Sequence, residues 1–306
     1  MKKRDRKRDT VKIILYTLGP IIILFLLIPI LFDDGPSSKG NVAIIPIEGV
    51  ITTDGGASTL GQTTVSSSQI TEFLADAERD SHIQAIILEI NSPGGSAVAS
   101  DEIASAVKKS TKPTVAVIRE AGASGGYWIA SSTDYIIANR MSITGSIGVI
   151  SSYLEFSGMM EDYGVGYERL VSGPFKDLGT PFKSLQPTEK NILQNKIQFI
   201  HEFFVDEVSE NRNIPREEIA RLATGEFYLG VEALNLGLID QLGDLSTAEQ
   251  YLRTKYGLQE ISYVTYQPPT GLLDLLTSVF SSFSFHIGEG FASQLKEEAG
   301  QGIMLI

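Results

Sequence analysis

The chain of 306 residues contains no cysteine, three histidines and a single tryptophan. The lack of cysteine excludes disulfide bonds, a cysteine nucleophile and thiolate metal ligands. The three histidines, His82, His201 and His286, are far apart in the sequence and form no histidine-rich metal motif. We therefore expect a protein without disulfides, whose activity requires no metal and no cofactor.

Charge is divided unevenly along the chain, which carries −12 in total. Residues 1–12 hold seven basic and two acidic residues, a net charge of +5, so the remaining chain carries −17. Such an acidic body argues against nucleic acid as a partner. The basic segment at 1–12 is better explained by the apolar run that follows it than by binding to nucleic acid.

Residues 13–32, IILYTLGPIIILFLLIPILF, form an uncharged run of 20 residues. As a helix this run is long enough to cross a hydrocarbon core of roughly 30 Å. The basic residues before it predict that the N-terminus stays in the cytoplasm and the body lies outside it. A cleaved signal peptide is the alternative, but the run is longer than the apolar region of such peptides and no A-x-A-like site follows. We expect a single-pass anchor in the cell membrane, with a polar linker at 33–41.

A domain of alternating strands and helices is predicted over residues 42–258, followed by a C-terminal extension at 259–306. The predicted strands include 42–51, 84–90, 114–118 and 135–138, and the predicted helices include 68–79, 99–108, 125–132 and 189–208. This alternation indicates an α/β fold with largely parallel strand pairing. The helix at 189–208 is predicted to have Thr188 as its N-cap and an apolar stripe that includes Phe203, Phe204 and Val208.

Two glycine-rich turns follow predicted buried strands: Asn91-Ser92-Pro93-Gly94-Gly95 and Gly122-Ala123-Ser124-Gly125-Gly126. The carboxyl ends of strands are where open α/β sheets place their sites. Either turn alone would more often only reverse the chain, but two at adjacent strand ends, one with a serine, favour a site. The N–H groups of Gly95 and Gly125 could together hold a developing oxyanion.

The serine needs a base, and the sequence leaves more than one candidate. The G-A-S-G-G turn fits the G-x-S-x-G elbow, which takes a histidine base after the serine. Each histidine of this chain is better explained as a surface or packing residue than as a catalytic base. A lysine can replace histidine if burial lowers its pKa from about 10.4 towards 7–8. Spacing does not decide among four lysines that follow the serine: Lys176, Lys183, Lys190 and Lys196.

Four stretches together resemble the SppA-type signal peptide peptidases: NSPGGSAVASDEI, GASGGYWIASSTDYIIANRMSITGSIGVI, SGPFKDLG and ALNLGLIDQLG. The resemblance runs in order from about residue 42 to residue 255. It implies a crotonase/ClpP-like fold of stacked ββα units and a Ser–Lys dyad of Ser124 as nucleophile and Lys176 as general base. It further implies that Ser146 orients the lysine amine and that Gly95 and Gly125 form the oxyanion hole.

The same resemblance implies a homo-oligomer, a ring in which neighbouring subunits share the dyad. ClpP peptidases have similar turns but use a histidine 25 residues after the serine, where this chain has Val149. Trp128 is a small departure from the SppA pattern, because tyrosine is frequent at that position.

The function predicted on this basis is a membrane-anchored serine endopeptidase that degrades remnant signal peptides after secretion. One alternative is an NfeD-type membrane-bound Ser–Lys protease that acts on another membrane protein. A second is a crotonase-like hydratase, which the anchor and the acidic body disfavour because CoA is cytosolic and anionic. A third is a catalytically inactive oligomeric membrane scaffold.

Overall fold

A computed structural model describes residues 40–55 and 63–267 of the chain. The predicted anchor at 13–32 and most of the predicted C-terminal extension lie outside these residues. Within the described ranges, none of the helices has both the length and the apolar character needed to cross a membrane.

The strands of the described residues fall into one eight-stranded sheet and one two-stranded sheet. The main sheet has the order β10-β1-β4-β5-β6-β9, with β7 beside the end of β5 and β8 beside β7. Its pairs are parallel apart from β7 with β8, as the alternation of strands and helices predicts. In chain order the strands are β1 (Val42–Glu48), β2 (Val50–Thr52), β3 (Thr64–Ser66), β4 (Ala85–Ser92), β5 (Thr114–Ala123), β6 (Tyr135–Ala138), β7 (Ile143–Gly145), β8 (Phe227–Leu229), β9 (Gln241–Leu242) and β10 (Tyr263–Thr265).

Helices cover both faces of this sheet, because side chains alternate between the faces along each strand. In chain order they are α1 (Ser67–Arg79), α2 (Ala97–Lys108), α3 (Gly125–Ser131), α4 (Ser157–Asp162), α5 (Pro187–Arg212), α6 (Arg216–Leu222), α7 (Gly230–Asn235) and α8 (Leu245–Tyr256). One core cluster joins alternate residues of β1, β4 and β5 to α8: Val42, Ile44, Ala85, Ile87, Val115, Val117, Ala248 and Leu252. The intervening residues of the same strands are also buried; α1 contacts β1, α3 contacts β4 and β5, and α2 packs against both of these helices.

The order of elements fits the stacked ββα units that the resemblance implies. Strand β1 is followed by the two-stranded sheet of β2 and β3 and then by α1. Strand β4 is followed by a bridge between Gly95 and Ile51 of β2, and then by α2. Strand β5 leads through Ser124 directly into α3.

The predicted N-cap Thr188 is wrong, because α5 begins at Pro187 with Gln186 as its N-cap. Proline suits the first helical position, where an N–H would have no partner within the helix. The Gln186 N–H donates to the Glu189 side chain at 3.0 Å, which is one half of a capping box.

The predicted apolar stripe of α5 is correct for Phe204 and Val208 but wrong for Phe203, which is 54% exposed. Apart from Glu189 in the first turn, the buried residues of this helix lie in its C-terminal half, and α3 and α6 contact the helix. Two large apolar side chains near the middle of α5, Phe199 and Phe203, are exposed.

Candidate active site

Ser124 lies at the junction between β5 and α3, with backbone angles φ 52° and ψ −122°. A non-glycine residue with positive φ is rare and strained, and such residues concentrate at functional sites. The Ser124 side chain makes no capping hydrogen bond to α3. Strand β5 extends to Ala123, beyond the predicted strand end, so the turn is a single sharp residue of the kind that presents a nucleophile.

Strand register brings Ser146 beside Ser124, the predicted nucleophile. Ala123 of β5 pairs with Gly145 of β7, and the residues after them, Ser124 and Ser146, both have positive φ. The Ser146 N–H donates to the Glu226 carbonyl at 2.9 Å, and its Oγ donates to the Gly225 carbonyl at 3.3 Å. The hydroxyl is therefore held only weakly, at the same end of the sheet as Ser124.

The turn after β4 lies directly against Ser124. Gly94 has φ 102°, and a Cβ at this position would lie 2.8 Å from the Ser124 Cβ and 2.7 Å from the Gly125 nitrogen. The buried Ser92 hydroxyl stabilises this turn, since it donates to the Gly49 carbonyl at 2.6 Å and accepts from the Gly94 N–H at 3.1 Å. A side chain at residue 94 would clash with Ser124 and the backbone of Gly125.

Gly95 and Gly125, the predicted oxyanion donors, are close to each other. A Cβ on Gly125 would lie 3.3 Å from the Gly95 nitrogen and would overlap the Ser100 hydroxyl. A Cβ on Gly95 would overlap the Ile51 carbonyl of the neighbouring strand. The backbone nitrogens of Gly95 and Gly125 thus lie near each other beside Ser124, an arrangement that can stabilise negative charge on a substrate carbonyl oxygen.

These four predicted residues, Ser124, Ser146, Gly95 and Gly125, line one cleft of about 500 Å³. Its other walls are largely apolar and include Trp128, Val149, Ile150, Ile200 and Phe204. No histidine lines this cleft in the described part of the chain. A second cleft, of about 550 Å³, contains none of the predicted residues.

The wall formed by Ile200 and Phe204 was not part of the predicted site. The two residues are one turn apart on α5, and the Phe204 ring stacks on Trp128 of α3 with ring centres 4.7 Å apart. Their i, i+4 spacing was visible in the sequence. Nothing local to α5, however, indicated that this helix would pack beside the serine.

The predicted base Lys176 lies on an exposed turn and is not among the residues that line the cleft. Lys183, one of its rivals, contacts Glu189 at 2.7 Å and Asp177 at 3.4 Å. The hydrogen bond to Glu189 and the nearby Asp177 raise the pKa of Lys183, which makes this amine a poor base.

The structure gives His201 no place in the cleft. Its Nε2 lies 2.9 Å from the Ala223 carbonyl oxygen, so the ring makes a packing contact between α5 and the end of α6.

Comparison with known proteins identifies the family. The profile of peptidase family S49 matches residues 106–259, half of the chain. A candidate signal peptide peptidase SppA of Enterococcus faecium is 31% identical over 241 residues, which cover 78% of this chain and 70% of that protein. The chain belongs to peptidase family S49.

Other relatives of this S49 peptidase extend the comparison. A candidate protease of Methanocaldococcus jannaschii, MJ0651, is 33% identical over 61% of this chain and 64% of that protein. The chloroplastic serine protease SPPA of Arabidopsis thaliana is 30% identical over 80% of this chain but only 37% of that protein. Among solved structures, a mutant of the 1510-N membrane-bound stomatin-specific protease gives a TM-score of 0.49 at 17% identity, and the match covers 76% of this chain and all of that one.

The family assignment confirms the predicted resemblance to SppA-type enzymes and the predicted class, a serine peptidase. It also decides against the crotonase-like hydratase. The mixed α/β fold with its parallel sheet agrees with the predicted fold class.

Proposed function

We propose that this S49 peptidase is a serine endopeptidase in which Ser124 is the nucleophile and Lys176 is the general base. The observation that carries the proposal is the strained backbone of Ser124 in a cleft where the nitrogens of Gly95 and Gly125 converge. A serine in such a turn is held ready for attack, and the two donors match the charge that develops on a carbonyl oxygen.

The proposed reaction has two stages, acylation of Ser124 and hydrolysis of the acyl-enzyme. The neutral Lys176 amine takes the proton of the Ser124 hydroxyl as Oγ forms a bond to the peptide carbonyl carbon. The Gly95 and Gly125 N–H groups bind the oxyanion. The Lys176 ammonium then protonates the leaving amine, and the peptide C–N bond breaks to give an acyl-enzyme. Lys176 next takes a proton from water as the water oxygen attacks the ester carbon. The Lys176 ammonium then returns a proton to the Ser124 Oγ as the ester C–O bond breaks, which releases the acid and restores the Ser124 hydroxyl and the neutral amine.

Lys176 reaches Ser124 from a neighbouring subunit in this proposal. The cleft of one chain holds the nucleophile and the oxyanion donors, whereas Lys176 lies on an exposed turn outside it. The segment around that turn exposes many large apolar side chains, as an unpartnered interface would: Ile150, Leu154, Met159, Tyr163, Val165, Leu170, Phe175, Phe182 and Phe199. A homo-oligomeric ring would cover these side chains and complete each active site.

The proposed substrates are remnant signal peptides, and the proposed location is the cell membrane. The apolar walls of the cleft suit an apolar peptide segment. The uncharged run at 13–32 would hold the catalytic domain at the membrane surface, with residues 1–12 in the cytoplasm and the domain on the opposite side.

Labelling with a fluorophosphonate tests the proposal. We expect the probe to modify Ser124, as located by mass spectrometry, and both Ser124→Ala and Lys176→Ala to abolish labelling and peptide cleavage. Ser132→Ala and Lys190→Ala are the matched controls and should retain both. Retained labelling in Lys176→Ala, or its loss in Lys183→Ala instead, would reject Lys176. A chain that the probe does not label at any serine would be the inactive scaffold.

The substrate proposal has its own test. A synthetic signal peptide should be cleaved faster than a polar peptide of equal length, and the difference should vanish in Ser124→Ala. Equal rates for the two peptides would reject signal peptides as the preferred substrates.

A further inference from the structure

Asp177 follows the proposed base Lys176 in the sequence, and its carboxylate already forms an ion pair with Arg169. Asp177 Oδ2 and Oδ1 accept hydrogen bonds from Arg169 Nε at 2.6 Å and Arg169 Nη2 at 2.7 Å. Lys183 Nζ lies 3.4 Å from the same carboxylate. The Asp177 side chain is only 13% exposed and that of Arg169 is 34% exposed, and the two are joined by a two-pronged, charge-assisted pair.

Arg169 also fixes the backbone of the turn that carries Lys176. Its Nη2 donates to the Pro174 carbonyl at 2.8 Å, so one guanidinium holds the turn on both sides of Lys176. Backbone bonds within the turn, from the Lys176 N–H to the Gly173 carbonyl at 3.2 Å and from the Thr180 N–H to the Asp177 carbonyl at 3.0 Å, complete it.

The same charges connect the turn to the wall of the cleft. Lys183 bridges Asp177 to Glu189, which caps the N-terminus of α5. Further along, α5 presents Phe204 to Trp128 of α3, the helix that Ser124 begins. A continuous series of contacts therefore runs from the Lys176 turn to the nucleophile helix of the same chain.

The charge of Asp177 matters because a lysine base must lose its proton. A free carboxylate beside a lysine stabilises the ammonium form and so opposes that loss. Lys176 has no ion pair in the described ranges, although Asp177 is its neighbour in sequence. The Arg169 guanidinium holds the pKa of the Asp177 carboxyl well below its usual range, so this carboxylate stays charged and stays with Arg169.

We propose that Arg169 is a positioning residue for the general base: it binds the Asp177 carboxylate, keeps that charge from the Lys176 amine and fixes the turn on which Lys176 lies. The inference rests on the proposed function, in which Lys176 is the base. Lys183 acts in the same direction as a second, weaker cation on Asp177. The other titratable groups of the cluster are Glu189, paired with Lys183, and Tyr167, whose ring lies 5.6 Å from that of Phe182.

The test is the pH profile of kcat/KM for the full-length protein with a fluorogenic peptide. Arg169→Gln releases the Asp177 carboxylate, so the acid limb of the profile should move up by about one pH unit. Activity at pH 7 should then fall about tenfold, with a smaller loss at high pH. The double variant Arg169→Gln/Asp177→Asn has no carboxylate to release, so its acid limb should return to the wild-type position.

Arg253→Gln is the matched control. Arg253 forms an ion pair with Glu249 on α8, so this variant also removes one positive charge from an arginine–carboxylate pair. Neither residue lines the cleft. Its profile should overlay the wild type. If Arg169→Gln does not fold, Lys183→Gln replaces it, with a smaller shift expected in the same direction.

The outcomes separate this inference from the proposed function. Lys176→Ala is measured first, and an active variant would remove both. If Lys176→Ala is inactive, a shifted acid limb in Arg169→Gln that the second substitution reverses supports the inference. An unshifted limb, or an equal loss of activity at every pH, overturns it and leaves the dyad in place.

Discussion

The backbone N–H of Ser124 donates a 2.8 Å hydrogen bond to the carbonyl of Gly145. This bond joins Ser124, which follows β5, to Gly145, which ends β7 and precedes Ser146. Ser124 and Ser146 are the two serines with positive φ in the described residues. Because pairing fixes the register of β5 and β7, the residues that directly follow these strands, Ser124 and Ser146, are held side by side. The pair is therefore one rigid unit at the edge of the cleft.

Ser146→Ala should lower kcat about 10- to 100-fold while KM changes little. The proposed role of this hydroxyl is to orient the lysine amine, and its bond to the Gly225 carbonyl is long at 3.3 Å, so the hydroxyl can turn to a better partner. The measurement is steady-state kinetics with a peptide substrate. Ser142→Ala, which removes a buried hydroxyl outside the cleft, serves as the control for general loss of packing. An unchanged kcat for Ser146→Ala would contradict the orienting role.

Trp128 is the only tryptophan of the chain, so its fluorescence reports on the cleft directly. It is 4% exposed and stacks on Phe204, and phosphonylation of Ser124 should perturb both rings and change the emission. The measurement is the emission spectrum before and after fluorophosphonate addition. Ser124→Ala should show no change, and identical spectra for labelled and unlabelled wild type would contradict this placement of the wall.

Trp128→Phe should be tolerated better than a truncation. In the described part of the chain the buried Trp128 Nε1–H has no hydrogen-bond partner, so phenylalanine leaves no acceptor unsatisfied. Trp128→Ala would instead open a cavity, at a cost of about 3–5 kcal/mol. Urea unfolding of both variants would measure the difference, and equal losses would show that the indole N–H has a partner after all.

The parts of the site that could be predicted are those with a local signal. The turns that contain Gly95 and Ser124 follow continuous apolar strands, and a glycine-rich break after such a strand can be recognised without tertiary information. Gly94 was seen only as a turn residue, because its contact with Ser124 arises from the pairing of β4 with β5. The α5 wall was missed for a related reason: its apolar spacing predicts a buried face but not the element that covers it.

The choice of Lys176 as the base shows a different limit of prediction from the sequence. Several lysines follow the serine, and none carries a local mark of a base. The structure argues against Lys183, since its ion pairs with Glu189 and Asp177 hold the amine in its charged form. The choice of Lys176 rests on the family pattern, and in the proposed mechanism its meeting with Ser124 depends on a second chain.

Glu78 gives a pH-dependent contribution to stability that is separate from catalysis. Its carboxylate accepts from Thr111 and Ser110, which ties α1 to the turn before β5, and the Thr111 hydroxyl bond lowers its pKa. A lowered folded-state pKa stabilises the fold above the unfolded value of about 4.3, and the contribution is lost as pH falls through the folded value. Glu78→Gln should therefore reduce Tm at pH 7, and the difference from wild type should shrink below about pH 4. A difference in Tm that is independent of pH would contradict this account.

The sharing of the dyad between subunits is tested by mixing two inactive variants. In a head-to-tail ring each site would take Ser124 from one chain and Lys176 from the next. When Ser124→Ala and Lys176→Ala chains are dissociated, mixed in equal amounts and reassembled, about a quarter of the sites should contain both intact residues. Activity should thus return to about a quarter of the wild-type value, whereas each variant reassembled alone should stay inactive. If the dyad were formed within one chain, no mixed site could contain both residues and the mixture would remain as inactive as its parts.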